Sequence, residues 1–241
     1  MAEFVQLWVY LSSTPLFGLT ATLVVYVLAQ AFYGRMGQAA WANPVLWSVL
    51  TLAVGLTLTG TAYPTYFSGA QFIHFLLGPA VVALAWPLWE RRAVLRSRWS
   101  RFAIAALAGG AAAAVSATGL AWALGLPHDV LLSLAPKSVT APVAMGVAEK
   151  LGGIPALAAV FAVVTGMVGA LSGKYLFDVL RIGRDATGWM ARGFALGTAA
   201  HGIGAARAMQ VNADAGAWAA LALGLQVVFA SVLIPLVARM L

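Results

Sequence analysis

Apolar positions along this chain come in long continuous runs, unlike the short alternating segments of a barrel strand. Runs over 15–34, 44–60, 71–89, 102–126, 154–174 and 217–239 each approach the roughly 20 residues a helix needs to cross a hydrocarbon core. An unpaired peptide group in hydrocarbon is so costly that only helices and closed barrels span a bilayer. The pattern therefore predicts an all-α, polytopic helical bundle, a single transmembrane domain over 1–241.

Two segments depart from the pattern. The stretch 130–151 carries Pro136, Pro142, Lys137, Glu149 and Lys150 within an otherwise apolar run, and 192–210 places His201 and Arg207 among glycines. Neither reads as a plain lipid-facing span, and both are expected to be broken or re-entrant. The run 71–89 is itself interrupted at Gly78-Pro79, where proline lacks the amide hydrogen and clashes with the preceding turn, so a kink or break is expected there.

Composition sharpens this picture. Hydrophobic residues make up 62% of the 241 positions and charged residues 9%, against about 25% charged in a soluble domain. Most of the surface is thus expected to meet lipid. The net charge of +7 does not point to nucleic acid, because the basic residues gather in short loops between apolar runs, as the positive-inside rule expects. With no cysteine, disulfides and thiolate metal sites are excluded. Residues 1–13 lack the basic flank and small-residue cleavage site of a secretory signal, so the first span is expected to be retained.

The loops 90–101, with five arginines, and 174–192 are both expected on the cytoplasmic side. The stretch between them around Pro136 must then return to the side it left, which favours paired half-helices. A faint internal echo, Leu77-Gly-Pro-Ala against Leu134-Ala-Pro-Lys, puts a small residue and proline at the head of a helix twice. Broken helices at matching positions of a repeat are the sequence pointer to a transporter site.

Around the first break, Pro136 can open a half-helix whose unpaired N–H groups and dipole favour an anion. Lys137 adds a full positive charge, and Ser138 and Thr140 add donors. Alternatively, Lys137 snorkels to the interface. Around the second break, Gly202 and Gly204 permit close backbone approach, Arg207 can pair both oxygens of a carboxylate, and His201 can carry a proton. The plainer alternatives are an Arg207–Asp214 ion pair and a histidine satisfied by one hydrogen bond. Glu149 is a second proton candidate, or simply a solvated helix end. His74 reads as a packing residue, and Trp86, Trp89, Tyr63 and Tyr66 as interfacial anchors. No H-E-x-x-H, G-x-S-x-G or Walker motif occurs, so neither catalysis, nor a cofactor, nor a metal centre is expected.

Four stretches together resemble the LrgB/CidB family: Phe75-Leu-Leu-Gly-Pro-Ala-Val-Val-Ala-Leu-Ala-Trp-Pro-Leu, Leu134-Ala-Pro-Lys-Ser-Val-Thr-Ala-Pro-Val-Ala, Gly152-Gly-Ile-Pro-Ala-Leu and Ala200-His-Gly-Ile-Gly-Ala-Ala-Arg-Ala. The resemblance implies an inverted-repeat architecture similar to cation/proton antiporters. It implies one of two activities: carriage of small monocarboxylates such as pyruvate, glycolate or glycerate, or antiholin-like control of murein hydrolase export beside an LrgA/CidA-like membrane partner. Ala141, Ala200 and Ala205 stand where relatives often carry a hydroxyl. The expected substrate-binding set is Pro136, Lys137, Ser138, Thr140, His201, Gly202, Gly204 and Arg207, with Gly78 and Pro79 from the first half. His201 and Glu149 are the candidates for proton coupling. The expected setting is the bacterial inner membrane, with a small organic anion as ligand, the lipid bilayer as surroundings, a homodimer as a possible assembly and no nucleic-acid partner.

Overall fold

The computed structural model describes residues 16–76, 79, 82–83, 85–90 and 92–238. They are helical, with no strand among them, and they fall into two compact units, one reaching Val82 and the other starting at Ala83.

The first unit holds α1 (Phe17–Arg35), α2 (Pro44–Leu58) and α3 (Tyr63–Phe75). Asn43 starts α2 by accepting the N–H groups of Val45 and Leu46 at 2.9 and 3.2 Å, and Pro44 occupies the first turn, where no amide is needed. Gly18 lets α3 approach until the Tyr66 carbonyl fills the space of a side chain. Tyr66 also pairs its hydroxyl with Thr22 at 2.7 Å, so it fastens α3 to α1 and is more than an interfacial anchor. The expected run 71–89 is not one helix. Its helix begins earlier, at Tyr63, because Pro64 suits a first turn, and ends at Phe75, before the Gly78-Pro79 step. Gly78 and much of the echo starting at Leu77 lie outside the described residues.

The second unit begins with two short helices, α4 (Ala85–Glu90) and α5 (Arg92–Ser97), and continues with α6 (Trp99–Ala123), α7 (His128–Leu134), α8 (Ala141–Leu151), α9 (Pro155–Val179), α10 (Ala186–Val211) and α11 (Ala213–Ala238). Among the described residues, α1, α6, α9 and α11 are long and apolar enough to cross a membrane. A 25-residue helix is about 37 Å long, which exceeds a core of about 30 Å. The faces of α9 differ in size rather than polarity: Val160, Val164 and Val168 are exposed, while Ala158, Ala162, Gly166, Ala170 and Gly173 are buried. Lipid takes the bulky face and protein the small one.

Unlike those four, α10 is not one rod. Ala200 (φ −120°, ψ 15°) and His201 (φ 41°, ψ −135°) leave the helical region, and the chain reverses there. A Cβ on Gly204 would stand 2.7 Å from the carbonyl oxygen of Leu196, although residues eight apart in a straight helix are separated by about 12 Å. The second arm, 202–211, therefore runs back along the first, 186–199. Gly193 and Gly197 meet the carbonyls of Ala215 and Ala219 in the same order, so α11 starts beside the first arm and runs parallel to it. The break falls at Ala200-His201 rather than at the glycines, whose part is to let the arms touch.

A second hairpin comes from α7 and α8. Ser133 Oγ accepts the N–H of Ile154 at 2.7 Å, which closes the 20 intervening residues into a loop that leaves and returns at one level. Non-helical residues 135–140 form its tip. Gly152, in the left-handed region at φ 83°, ends α8, and the three residues Gly152, Gly153 and Ile154 turn it back against α9.

Both tips lie against the middle of α9. His201 Nε2 is 2.7 Å from the carbonyl of Ala162, and Ala200 fills the space beside Gly169. From the other hairpin, Val139 belongs to the buried cluster that contains Ala162. Phe102 stacks on Trp218 near the starts of α6 and α11, so these two helices are parallel. A Cβ on Gly173 would meet Leu196 at 2.9 Å, and α9 runs antiparallel to the first arm of α10. The sequence 99–151, a long helix then a hairpin, is thus repeated upside down by 155–211. This repeat lies within the second unit and is distinct from the Leu77/Leu134 echo, whose first half belongs to the first unit and falls mostly outside the described residues.

Candidate functional site

At the tip of the first hairpin, Pro136 is buried within the turn and does not open the half-helix. Thr140 is the N-cap of α8, and Pro142 takes its first turn. The correction follows from the turn itself, where Lys137 and Val139 donate their N–H groups to the carbonyls of Leu134 and Pro136 and hold 135–139 out of the helix. Lys137 is half-buried, and its ammonium lies 3.4 Å from Ser138 Oγ, its one polar partner among the described residues. Thr140 makes no capping bond, and its buried hydroxyl has no partner. Lys137, Ser138 and Thr140 thus gather at the positive end of an 11-residue half-helix, where the dipole and the ammonium act in the same sense. The arrangement suits an anion.

At the other tip, His201 is 3% exposed and points at α9. A carbonyl can only accept, so Nε2 carries the proton in the bond to Ala162 and Nδ1 is the remaining acceptor. Gly166 makes this possible, since a Cβ there would stand 2.7 Å from Nε2. A φ of 41° with ψ of −135° is a strained backbone for a residue with a side chain. Gly204 is packed against the first arm, whereas a Cβ on Gly202 would meet nothing within 4 Å. Space is open beside the first residue of the second arm.

Arg207 is buried at 9% exposure but stands six residues beyond His201, about 9 Å along the arm. Glu149 is exposed on the last turn of α8. Pro79 is exposed and belongs to the first unit, and the side chain of His74 lies outside the described residues. The candidate residues thus stand as two groups, Lys137, Ser138 and Thr140 on one tip and His201, Gly202 and Gly204 on the other, and each tip has a contact to α9 near Ala162.

Three features escape a reading of the sequence. Thr198, one turn before the second tip, is 5% exposed with an unpartnered hydroxyl. Gln226, inside the last apolar run, is buried and donates to the carbonyl of Ala106. Arg192 reads as a loop charge, yet it is buried, donating to Asp178 at 2.9 Å and to the carbonyls of Ile182 and Gly183. A usable signal does exist: Ala-x-x-x-Gly stands at the eighth and twelfth residues of both α6 (Ala106, Gly110) and α9 (Ala162, Gly166). In each helix the alanine carbonyl receives a buried polar side chain and the glycine makes room for it.

Comparison with known proteins adds the following. The model of the LrgB-like family matches residues 22–240. The uncharacterized protein YxaC of Bacillus subtilis (strain 168) is 33% identical over 216 residues, covering 90% of this chain and 92% of its own. The holin-like protein CidB of Staphylococcus aureus (strain N315) is 31% identical over 214 residues, 89% of this chain and 91% of its own. CidB of Staphylococcus epidermidis (strain ATCC 12228) is 28% identical over the same length. No solved structure matches.

Proposed function

The chain belongs to the LrgB-like family, a multi-pass membrane protein related to the holin-like CidB proteins, and from that premise we propose that it carries a small monocarboxylate across the bacterial inner membrane. One observation supports this reading above the others: two hairpins enter from opposite ends of the second unit, and their tips reach the middle of the same helix. Access from one side then alternates with access from the other when the barrier on either hairpin yields. The carboxylate sits at Lys137, Ser138, Thr140 and the start of α8. Gly202 leaves room beside it, Arg207 draws the anion along the second arm, and Nδ1 of His201 takes a coupled proton. The protein transforms nothing on this reading and needs no cofactor.

The basic loops agree with a cytoplasmic face. Leu95 of α5 and Met190 of α10 pack on one cluster around Phe102, Phe194 and Trp218, so both loops lie at the same end of the unit. Anionic lipid headgroups and the positive-inside rule favour that end inside.

The names of the relatives favour a second reading more directly than they favour carriage. As a holin-like protein, the chain acts in cell lysis by assembling with an LrgA/CidA-like partner, or with a second copy of itself. Uptake of labelled pyruvate, glycolate and glycerate into proteoliposomes, with and without a pH gradient, separates the two. Saturable uptake lost in Lys137→Ala supports carriage. Well-folded protein that takes up none of the three, together with partner-dependent lysis that survives Lys137→Ala, favours the holin-like role.

A further inference from the structure

The two basic loops at one end of the second unit handle their charge differently. In the stretch 174–192, four basic residues share two aspartates. Asp178 pairs with Arg184 at 3.2 Å and with Arg192 at 2.9 Å, and Asp185 caps α10 through the N–H of Gly188. The stretch 90–101 sets Glu90 alone against five arginines. Among the described residues, Arg92, Arg96, Arg98 and Arg101 are all exposed, and none of them forms an ion pair.

Their placement makes the excess unfavourable. No loop separates α5 from α6, since the N–H of Arg98 donates to the carbonyl of Val94 at 3.1 Å. Arg92 and Arg96 stand four apart on α5, and the N–H of Arg101 donates to the Arg98 carbonyl at 3.0 Å, so each pair is about one helical turn apart. Like charges at this spacing, about 5–6 Å between Cβ atoms, repel. The first turn of α6 adds the positive end of a 25-residue helix and holds no acid. An anion from outside the chain offsets this repulsion.

The same stretch carries the marks of the membrane–water boundary, where lipid phosphates lie. Trp86, Trp89 and Trp99 are exposed along it, and tryptophan gathers at that boundary. Leu95 anchors α5 on the cluster around Phe102. Arg92 lies over the Trp89 ring, 4.4 Å from its centroid, and gives one N–H to the Trp89 carbonyl at 2.8 Å. The guanidinium is thereby held beside an interfacial ring with further N–H donors to spare, and its planar fork matches a phosphate.

We propose that residues 92–101 are a docking surface for the phosphates of anionic phospholipids, with the Arg92–Arg96 and Arg98–Arg101 pairs as two separate headgroup contacts. The surface stands on either functional reading of the chain.

Purified protein is reconstituted in nanodiscs of phosphatidylcholine with increasing shares of phosphatidylglycerol and unfolded by heat. The two faces of a nanodisc are alike, so the readout is blind to any change in insertion direction. The wild-type midpoint rises saturably with phosphatidylglycerol. Arg96→Gln with Arg101→Gln, one charge from each pair, loses most of the rise. Lys174→Gln with Arg184→Gln removes the same charge from the other loop and rises as wild type. Equal wild-type midpoints in both lipids, or a full rise in the first variant, overturns the surface. An equal loss in the second variant does so too, by reducing the effect to net charge. A rise reproduced by inorganic phosphate in phosphatidylcholine discs overturns it by assigning the arginines to a soluble anion. Should the first variant not fold, each single substitution must lose part of the rise, and a full rise in both overturns the proposal.

Discussion

The two hairpins of the second unit solve one problem in opposite ways. The α7–α8 hairpin is fastened at its base, where Ser133 receives Ile154, and its tip is an irregular turn with a half-buried lysine. The α10 hairpin is fastened at its tip, where His201 reaches Ala162, with its arms pressed together at Gly204. One presents a charge on a turn held by few bonds; the other presents strained backbone locked to its neighbour. On the carriage reading proposed above, the first tip would carry recognition and the second the barrier.

The largest effect should come from Lys137→Ala, which abolishes anion uptake while the protein still elutes as a folded particle on size-exclusion chromatography. Uptake at the wild-type rate would remove recognition from the first tip. Next, Gly166→Val drives two methyl groups toward the His201 ring. It should cost about 1–3 kcal/mol through overpacking, seen as a lower unfolding midpoint, and an unchanged midpoint would mean that the second tip is not seated on α9. Ser133→Ala leaves the Ile154 N–H without its partner and should cost a similar or smaller amount, about 1–3 kcal/mol, in the same assay. The smallest effect sharpens the comparison most. Because His201→Ala loses the bond and keeps the strain, it should destabilise by about 1–2 kcal/mol. Glycine at the same position loses the bond but relieves the backbone, and should lie closer to wild type. If alanine proves the milder change, the strain assigned to the second tip is wrong.

Much of this architecture is legible in the chain. The four long helices follow from run length, the run 71–89 does not form one helix, and both hairpins fall where prolines, glycines and charges interrupt the runs. The reversal at Ala200-His201 is not legible, because neither residue prefers the left-handed region and tertiary packing imposes it. Proline misleads at 136, since a turn and a helix start suit it equally well; Pro142, six residues on, opens the helix. Thr198 and Gln226 are invisible for another reason: one hydroxyl and one amide barely dent the hydropathy of a 26-residue helix. The matched Ala-x-x-x-Gly pairs are written in the chain but stand among so many other small residues that only the partner side chains single them out.

The small face of α9 has one more consequence. Interdigitated side chains act as teeth, and moving one element past another means lifting every tooth from its socket. Ala158, Ala162, Gly166, Ala170 and Gly173 offer no teeth, so α9 is a smooth rail along which a neighbouring tip slides with little repacking. A smooth rail has no preferred stopping place unless a catch supplies one. The hydrogen bond from His201 to Ala162 is one such catch, set beside the seats that Ala200 and Leu196 take at Gly169 and Gly173.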